Sequence, residues 1–169
     1  MSNKALFLDR DGVVNKDCHF VIRKADFAWM EGFFEVCRYF LERDYLIIII
    51  TNQSGVARNY FSESDLLELH KYMIAELRMR KIIITDVFYC ISSDDNHPDR
   101  KPNAGMFYKA ADKYRLDMSL SVSIGDKERD ITAAKKAGVG INILLTESTE
   151  ATAAEYTVKN LGEVVRLCM

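Results

Sequence analysis

Asp9 and Asp11 stand one residue apart in the stretch ALFLDRDGVVN, directly after the apolar run Ala5–Leu8. Like charges at the edge of a core repel each other and resist leaving water. The chain must therefore supply compensating positive charge. Polar groups follow the other apolar runs in the same way. Thr51, Asn52, Gln53 and Ser54 come after Leu46–Ile50, and Arg100 and Lys101 lie several residues beyond Val87–Ile91. Asp126, Lys127 and Asp130 come after Val122–Ile124. Carboxylates, a hydroxyl and cations on one rim suit phosphoryl transfer. Asp9 and Asp126 can share a hard divalent cation, which removes their repulsion and takes oxygen ligands. Magnesium is the natural candidate, because it keeps waters and binds through a few carboxylates plus a substrate phosphate. Thr51 and the backbone amides of the turn after it can cradle phosphate oxygens, while Lys101 adds positive charge.

These residues share one rim only if the elements bring them there. Strands are expected at Ala5–Leu8, Leu46–Ile50, Val87–Ile91, Val122–Ile124 and Gly140–Leu145, and their unbroken β-branched runs suit parallel strands covered on both faces. Amphipathic stripes lie between them. One joins Phe33, Val36, Cys37, Phe40 and Leu41, and another runs from Leu66 to Leu77 behind a capping box of Ser62 and Asp65. A third stripe runs from Met106 to Tyr114, a fourth over Asp130–Ala137 stops at Gly138, and a last helix covers Leu161–Cys168. The alternation predicts a single domain over residues 1–169, a doubly wound, Rossmann-like α/β fold. Its sheet is mostly parallel with helices on both faces, and ligands sit beyond the carboxyl ends of such strands.

Taken singly, each group has an ordinary explanation. Thr51-Asn52 suits a strand-ending turn, Lys101 a solvated side chain, and Lys127–Asp130 a charged first helical turn. A calcium loop is disfavoured by Val13 and Phe20 at ligand positions. His70 reads as a surface helix residue, His19 as a loop residue and Trp29 as core. Joint occurrence favours the chemical reading. Composition narrows the classes further. A net charge of −2 with 49% hydrophobic residues argues against a nucleic-acid track or a membrane-attracted surface. The cysteines at 18, 37, 90 and 168 form no CxxC pair, which suits free thiols in a reducing compartment. The N-terminus lacks a signal-peptide pattern, and YLIIII falls far short of the roughly 20 apolar residues that span a bilayer. The expectation is a cytoplasmic monomer that binds neither nucleic acid nor membrane.

FLDRDGVVN, TNQSGVAR, RKPNAGM and IGDKERD occur in that order over most of the chain. The set resembles the haloacid dehalogenase-like phosphohydrolases, in the branch of D,D-heptose 1,7-bisphosphate phosphatases and histidinol-phosphatases. The resemblance implies that family's core fold without a cap domain. It implies Asp9 as nucleophile, forming an aspartyl-phosphate, and Asp11 as the acid and base that protonates the leaving alkoxide and activates water. Magnesium would be held by Asp9, Asp126 and the backbone carbonyl of Asp11, with Asp130 behind them. Thr51 and Lys101 would hold the phosphoryl oxygens. Asn52, Gln53, Ser54, Arg100 and Lys127 would hold the rest of the substrate, as would Asp17, His19 and Phe20 of the flap and Arg58. The implied reaction removes the C7 phosphate of D-glycero-D-manno-heptose 1,7-bisphosphate, for lipopolysaccharide precursors. Histidinol phosphate is an alternative substrate, and a non-catalytic scaffold that binds phosphorylated ligands is an alternative of another class.

The chain departs from the branch in two places. Many members carry a zinc loop of cysteines and a histidine before the Arg-Lys-Pro; here Cys90 is followed by Ser92, His97 and Asp99 at the other ligand positions. That set suits a closed structural zinc site poorly, so hydrogen bonds are expected to hold the loop instead. Asn59 stands where the branch often has glycine, so the turn after Arg58 is expected to differ.

Overall fold

The computed structural model describes residues 2–168. Six strands form one parallel sheet: β1 Lys4–Leu8, β2 Tyr45–Asn52, β3 Asp86–Cys90, β4 Val122–Gly125, β5 Ile141–Leu145 and β6 Tyr156–Val158, in the order β3-β2-β1-β4-β5-β6. Five helices connect or follow them: α1 Phe33–Leu41, α2 Glu63–Met79, α3 Gly105–Tyr114, α4 Glu128–Lys136 and α5 Leu161–Cys168. The doubly wound arrangement is as expected. Among the described residues no inserted cap domain stands over the strand ends; the connection from β1 to α1 is a flap carrying one 3-10 turn at Lys24–Asp26.

The apolar runs are unbroken because both faces of the sheet are buried. Successive side chains point to opposite faces. Leu6, Leu8, Ile47 and Ile49 join the core under α1, α2 and α5, while Ala5, Phe7, Ile48 and Ile50 join the one under α3 and α4. Trp29 is half-buried and stacks on Phe33, packing against the first core as expected. Gly138 takes φ +82° just after α4, the left-handed value that ends helices and favours glycine.

Two features differ from the sequence reading. β2 extends through Thr51 and Asn52, which pair with Tyr89 and Cys90 of β3, so the Thr51 side chain is fixed by the sheet rather than by a turn. β6 was not expected. It is three residues long with Tyr156 and Thr157 exposed, and such a short edge strand leaves no apolar run to read. No helix among the described residues is long and apolar enough to cross a membrane, and the four cysteines are free.

Strand order reverses at β1, which has β2 on one side and β4 on the other. In open α/β sheets the crevice at such a switch point is where ligands bind. Leu8 pairs with Ile124, and Asp9 N–H donates to Ile124 O at 3.1 Å, so the residues after β1 and β4 emerge side by side. Helix α2 is anchored at its start by the expected capping box. Asp65 N–H donates to Ser62 Oγ at 3.1 Å, and Ser62 N–H to Asp65 Oδ2 at 2.9 Å. Ser62→Ala is expected to lower the unfolding free energy by about 1 kcal/mol, read as a shifted denaturation midpoint at unchanged slope.

Candidate active site

The switch point gathers three carboxylates and one ammonium. Asp9, Asp126 and Asp130 each offer an oxygen within 4.8 Å of the other two. Lys101 is buried beneath them, with Nζ 2.9 Å from Asp9 Oδ1 and 2.7 Å from Asp130 Oδ1. It also donates to Ile50 O at 2.7 Å, so all three N–H bonds have an oxygen to face. Asn52 holds this lysine in place from the end of β2. Its Nδ2 donates to Lys101 O and its Oδ1 accepts from Lys101 N–H, both at 3.0 Å. Asp130, in the first turn of α4, accepts from Lys127 N–H at 3.1 Å.

Lys101 faces two of these carboxylates, and the part-buried Asp126 meets only Lys127. Burial pushes the Asp9 carboxyl up to about 8, with Lys101 opposing the shift and Asp130 and Asp126 adding to it. Burial likewise raises Asp126, followed by repulsion from Asp130. Asp126 Oδ1 is buried and has no hydrogen-bond partner among the described residues. An orphaned carboxylate oxygen beside two further carboxylates is a donor set that fits a hard dication such as magnesium. Gly12 makes the approach possible. A Cβ there would lie 2.4 Å from Asp126 Oδ2, and its φ of +92° also favours glycine.

The Asp11 carboxylate is held apart from this cluster. Arg10, fully buried, directs Nη2 to both its oxygens at 3.0 Å. Asn15 Nδ2 donates to Asp11 Oδ1 at 2.9 Å and Gln53 Nε2 to Oδ2 at 2.8 Å. Gln53 also donates to Thr51 Oγ1 at 3.0 Å, which ties Asp11 to the end of β2. On the far side of Arg10, Nη1 lies 3.3 Å from His70 Nε2. Arginine only donates, so this ring nitrogen accepts and His70 is neutral. The expectation of a surface His70 is therefore wrong: the residue is only 4% exposed, on the inner side of α2. A lone histidine in a helix carries no sign of a partner 60 residues away. Burial, then the Arg10 charge, lowers its proton affinity to about 3.

A cleft of about 270 Å³ opens above these groups. Asp9, Asp11, Asp17, His19, Phe20, Asn52, Gln53, Ser54, Arg58, Arg100 and Lys127 line it, so the sequence-selected contact residues come together. Thr51, Lys101 and Asp130 lie beneath the surface, each no more than 5% exposed. Arg129 also lines the cleft and was missed, although it stands within GDKERD between two selected positions. Lys127 Nζ bridges Asp17 Oδ2 at 3.1 Å and Asp126 Oδ2 at 3.2 Å, tying the flap to the carboxylate cluster. The flap tip turns through left-handed His19 and Phe20, with φ of 57° and 51°, and the Phe20 ring packs edge-on against Tyr60.

Asn59 takes φ 58°, the left-handed value for which asparagine is the usual substitute for glycine, so the turn is compatible with either residue. The loop after Cys90 is held by hydrogen bonds. His97 Nδ1 accepts from Asp99 N–H at 3.1 Å, Asn103 Nδ2 donates to Asp95 O and His97 O at 3.0 Å, and Arg100 Nε donates to Asp95 Oδ1 at 2.9 Å. Cys90 Sγ lies 3.7 Å from His97 Nδ1, while Asp99 turns to Lys109.

The sequence model of the haloacid dehalogenase-like hydrolases matches residues 23–143. A D-glycero-alpha-D-manno-heptose-1,7-bisphosphate 7-phosphatase of Campylobacter jejuni is 44% identical over 165 residues, covering 98% of this chain and 95% of that protein. A D-glycero-beta-D-manno-heptose-1,7-bisphosphate 7-phosphatase of Vibrio cholerae is 39% identical over 167 residues, 90% of each chain. Among solved structures, the D,D-heptose 1,7-bisphosphate phosphatase of B. bronchiseptica, complexed with magnesium and phosphate, superposes with a TM-score of 0.86 at 28% identity. That match covers 98% of this chain and 97% of the other.

His70 makes a pH dependence of stability. Its proton affinity in the folded state lies below the unfolded value, so between about 3 and 6.5 the unfolded chain binds the extra proton. The His70 contribution to stability falls as pH drops through that window, by at most about 1.4 kcal/mol per pH unit, opposite in sign to that of Asp9. His70→Gln, which keeps an acceptor but does not titrate, is expected to flatten this part of the profile in denaturant unfolding between pH 7 and pH 5.

Proposed function

The chain belongs to the haloacid dehalogenase-like hydrolases, and from that premise we propose a magnesium-dependent phosphomonoesterase acting on D-glycero-D-manno-heptose 1,7-bisphosphate at C7. The observation that carries the reading is the trio Asp9, Asp126 and Asp130, two of them on the buried Lys101, opening onto a cleft lined by Arg58, Arg100, Lys127 and Arg129. A bisphosphate fits a cleft with carboxylates at its base and cations at its rim. One phosphate goes to the base, and the arginines and Lys127 grip the other.

Asp9 Oδ attacks phosphorus as the bond from phosphorus to the C7 oxygen breaks. Asp11 gives its proton to the departing oxygen, leaving free heptose 1-phosphate and an aspartyl-phosphate on Asp9. Asp11 then takes a proton from water as that water attacks phosphorus, and the bond to Asp9 breaks to release phosphate. Two carboxylates are needed because one is consumed in the covalent bond while the other carries the proton. Thr51 orients the phosphoryl group, and Lys101 supplies positive charge beside Asp9 Oδ1. Asp9, Asp126 and the Asp11 backbone carbonyl would hold magnesium, backed by Asp130; the bound ion neutralises phosphoryl charge. Asn52 positions Lys101, and Gln53, Ser54, Asp17, His19 and Phe20 face the sugar.

The four free cysteines suit work in a reducing cytoplasm, where the product would feed lipopolysaccharide precursors. A monomer suffices, since one chain carries every group named. Phosphate release is expected with either anomer of the heptose bisphosphate, to exceed that with histidinol phosphate, and to stop on chelation of magnesium. Asp9→Asn should fold and lose at least about 10³-fold in kcat. Turnover by that variant at the normal rate would overturn the covalent route, and preference for histidinol phosphate would overturn the substrate.

A further inference from the structure

We infer that Arg10 and His70 form a buried positioning pair that aims the Asp11 carboxylate at the leaving oxygen. Neither residue touches the cleft, and the reaction as described uses neither. Resting on the phosphatase reading above, the inference concerns how its acid and base is held.

The geometry runs from α2 to the site in two steps. The Arg10 guanidinium contacts Asp11 three times, through Nη2 to both oxygens at 3.0 Å and through Nε to Oδ1 at 3.3 Å. Nη2 also donates to Val21 O in the flap at 2.8 Å. With Nε and Nη2 so engaged, Nη1 is left to anchor the far end of the planar fork. Among the described residues its partner is His70 Nε2, 3.3 Å away. A fully buried arginine side chain must find acceptors, because an unmet donor there keeps its desolvation penalty. His70 thus braces the rigid fork from behind, and the fork, with Asn15 and Gln53, holds the Asp11 oxygens.

His70 is itself fixed. It lies one-sidedly buried in α2, whose start is capped by Ser62, and its ring packs edge-on against Tyr89 of β3 at 5.7 Å. Asn15 and Gln53 complete the cage, one donor for each Asp11 oxygen. A purely structural arginine would have no reason to spend three contacts on a carboxylate that is 20% exposed in the cleft. The arrangement holds a solvent-facing carboxylate in one orientation from beneath, and misplacement of a group that passes protons is costly to rate.

The test separates leaving groups. An alkyl phosphate needs its leaving oxygen protonated, whereas p-nitrophenolate leaves without a proton. His70→Leu is expected to reduce kcat for the heptose bisphosphate by about 30-fold, part of the ~10²–10⁴-fold typical of general acid catalysis. The single-turnover release of p-nitrophenol from p-nitrophenyl phosphate should fall by much less. His70→Gln, whose amide oxygen can accept from Arg10, should recover most of the loss. Should His70→Leu fail to fold, His70→Asn is the substitute, since its shorter amide stops short of Arg10 yet remains polar. Equal losses with both substrates, or no recovery with glutamine, would overturn the inference. A wild-type enzyme inactive on both substrates would overturn the phosphatase reading instead. In that case crystal structures of the variants still decide, because an Asp11 carboxylate unmoved without His70 refutes the positioning role.

Discussion

Everything at this site depends on placing negative charge where water is scarce. Asp9 and Asp130 meet the buried Lys101 ammonium, while Asp126 beside them meets only Lys127, which it shares with Asp17, so carboxylates outnumber cations. The raised proton affinities of Asp9 and Asp126 and the unpartnered Asp126 Oδ1 are consequences of that imbalance. Such an arrangement is unfavourable as pure structure. It becomes reasonable when a dication and a phosphate share the space, because each then meets a charge of the opposite sign.

The sheet makes this concentration possible. Parallel strands end at the same edge, and the reversal of strand order at β1 opens a crevice there. Two apolar cores, one on each face, hold the strand ends rigid. The polar residues can then sit on short extensions: Asp9 after β1, Thr51 and Asn52 at the end of β2, Asp126 after β4. No cap closes over them. Selection of the ligand falls to the rim, where Lys127 ties the flap to the carboxylates and Phe20 packs on Tyr60.

Two kinds of polar residue surround the cleft, and they differ in what holds them. The floor of the cleft is organised by buried contacts, with Lys101 gripped by Asn52 and Asp11 by Arg10. The rim arginines Arg58 and Arg129 are exposed side chains free to follow a ligand. That division leaves the floor of the cleft pinned and its rim exposed. The loop after Cys90 is held as well, by Asp99 N–H on His97 Nδ1, Asn103 Nδ2 on His97 O and Arg100 Nη1 on Ser92 O.

Local chemistry was enough to read much of this chain. Apolar runs buried on both faces have a period that survives in the sequence, so five strands, all five helices and the α2 capping box were legible. Carboxylates, hydroxyl and lysine at strand ends were legible too, because each motif keeps its spacing along the chain. What stayed hidden depends on neighbours distant in sequence. Short β6 has no apolar run of its own, and the burial of His70 follows from Arg10, a partner 60 residues away. Arg129 differs from any charged helix residue only in facing the cleft. Residue type and spacing determined which groups could do the chemistry. Only tertiary packing decided which way each one faces, because a side chain's direction and its loss of water are set by contacts that a linear pattern does not encode.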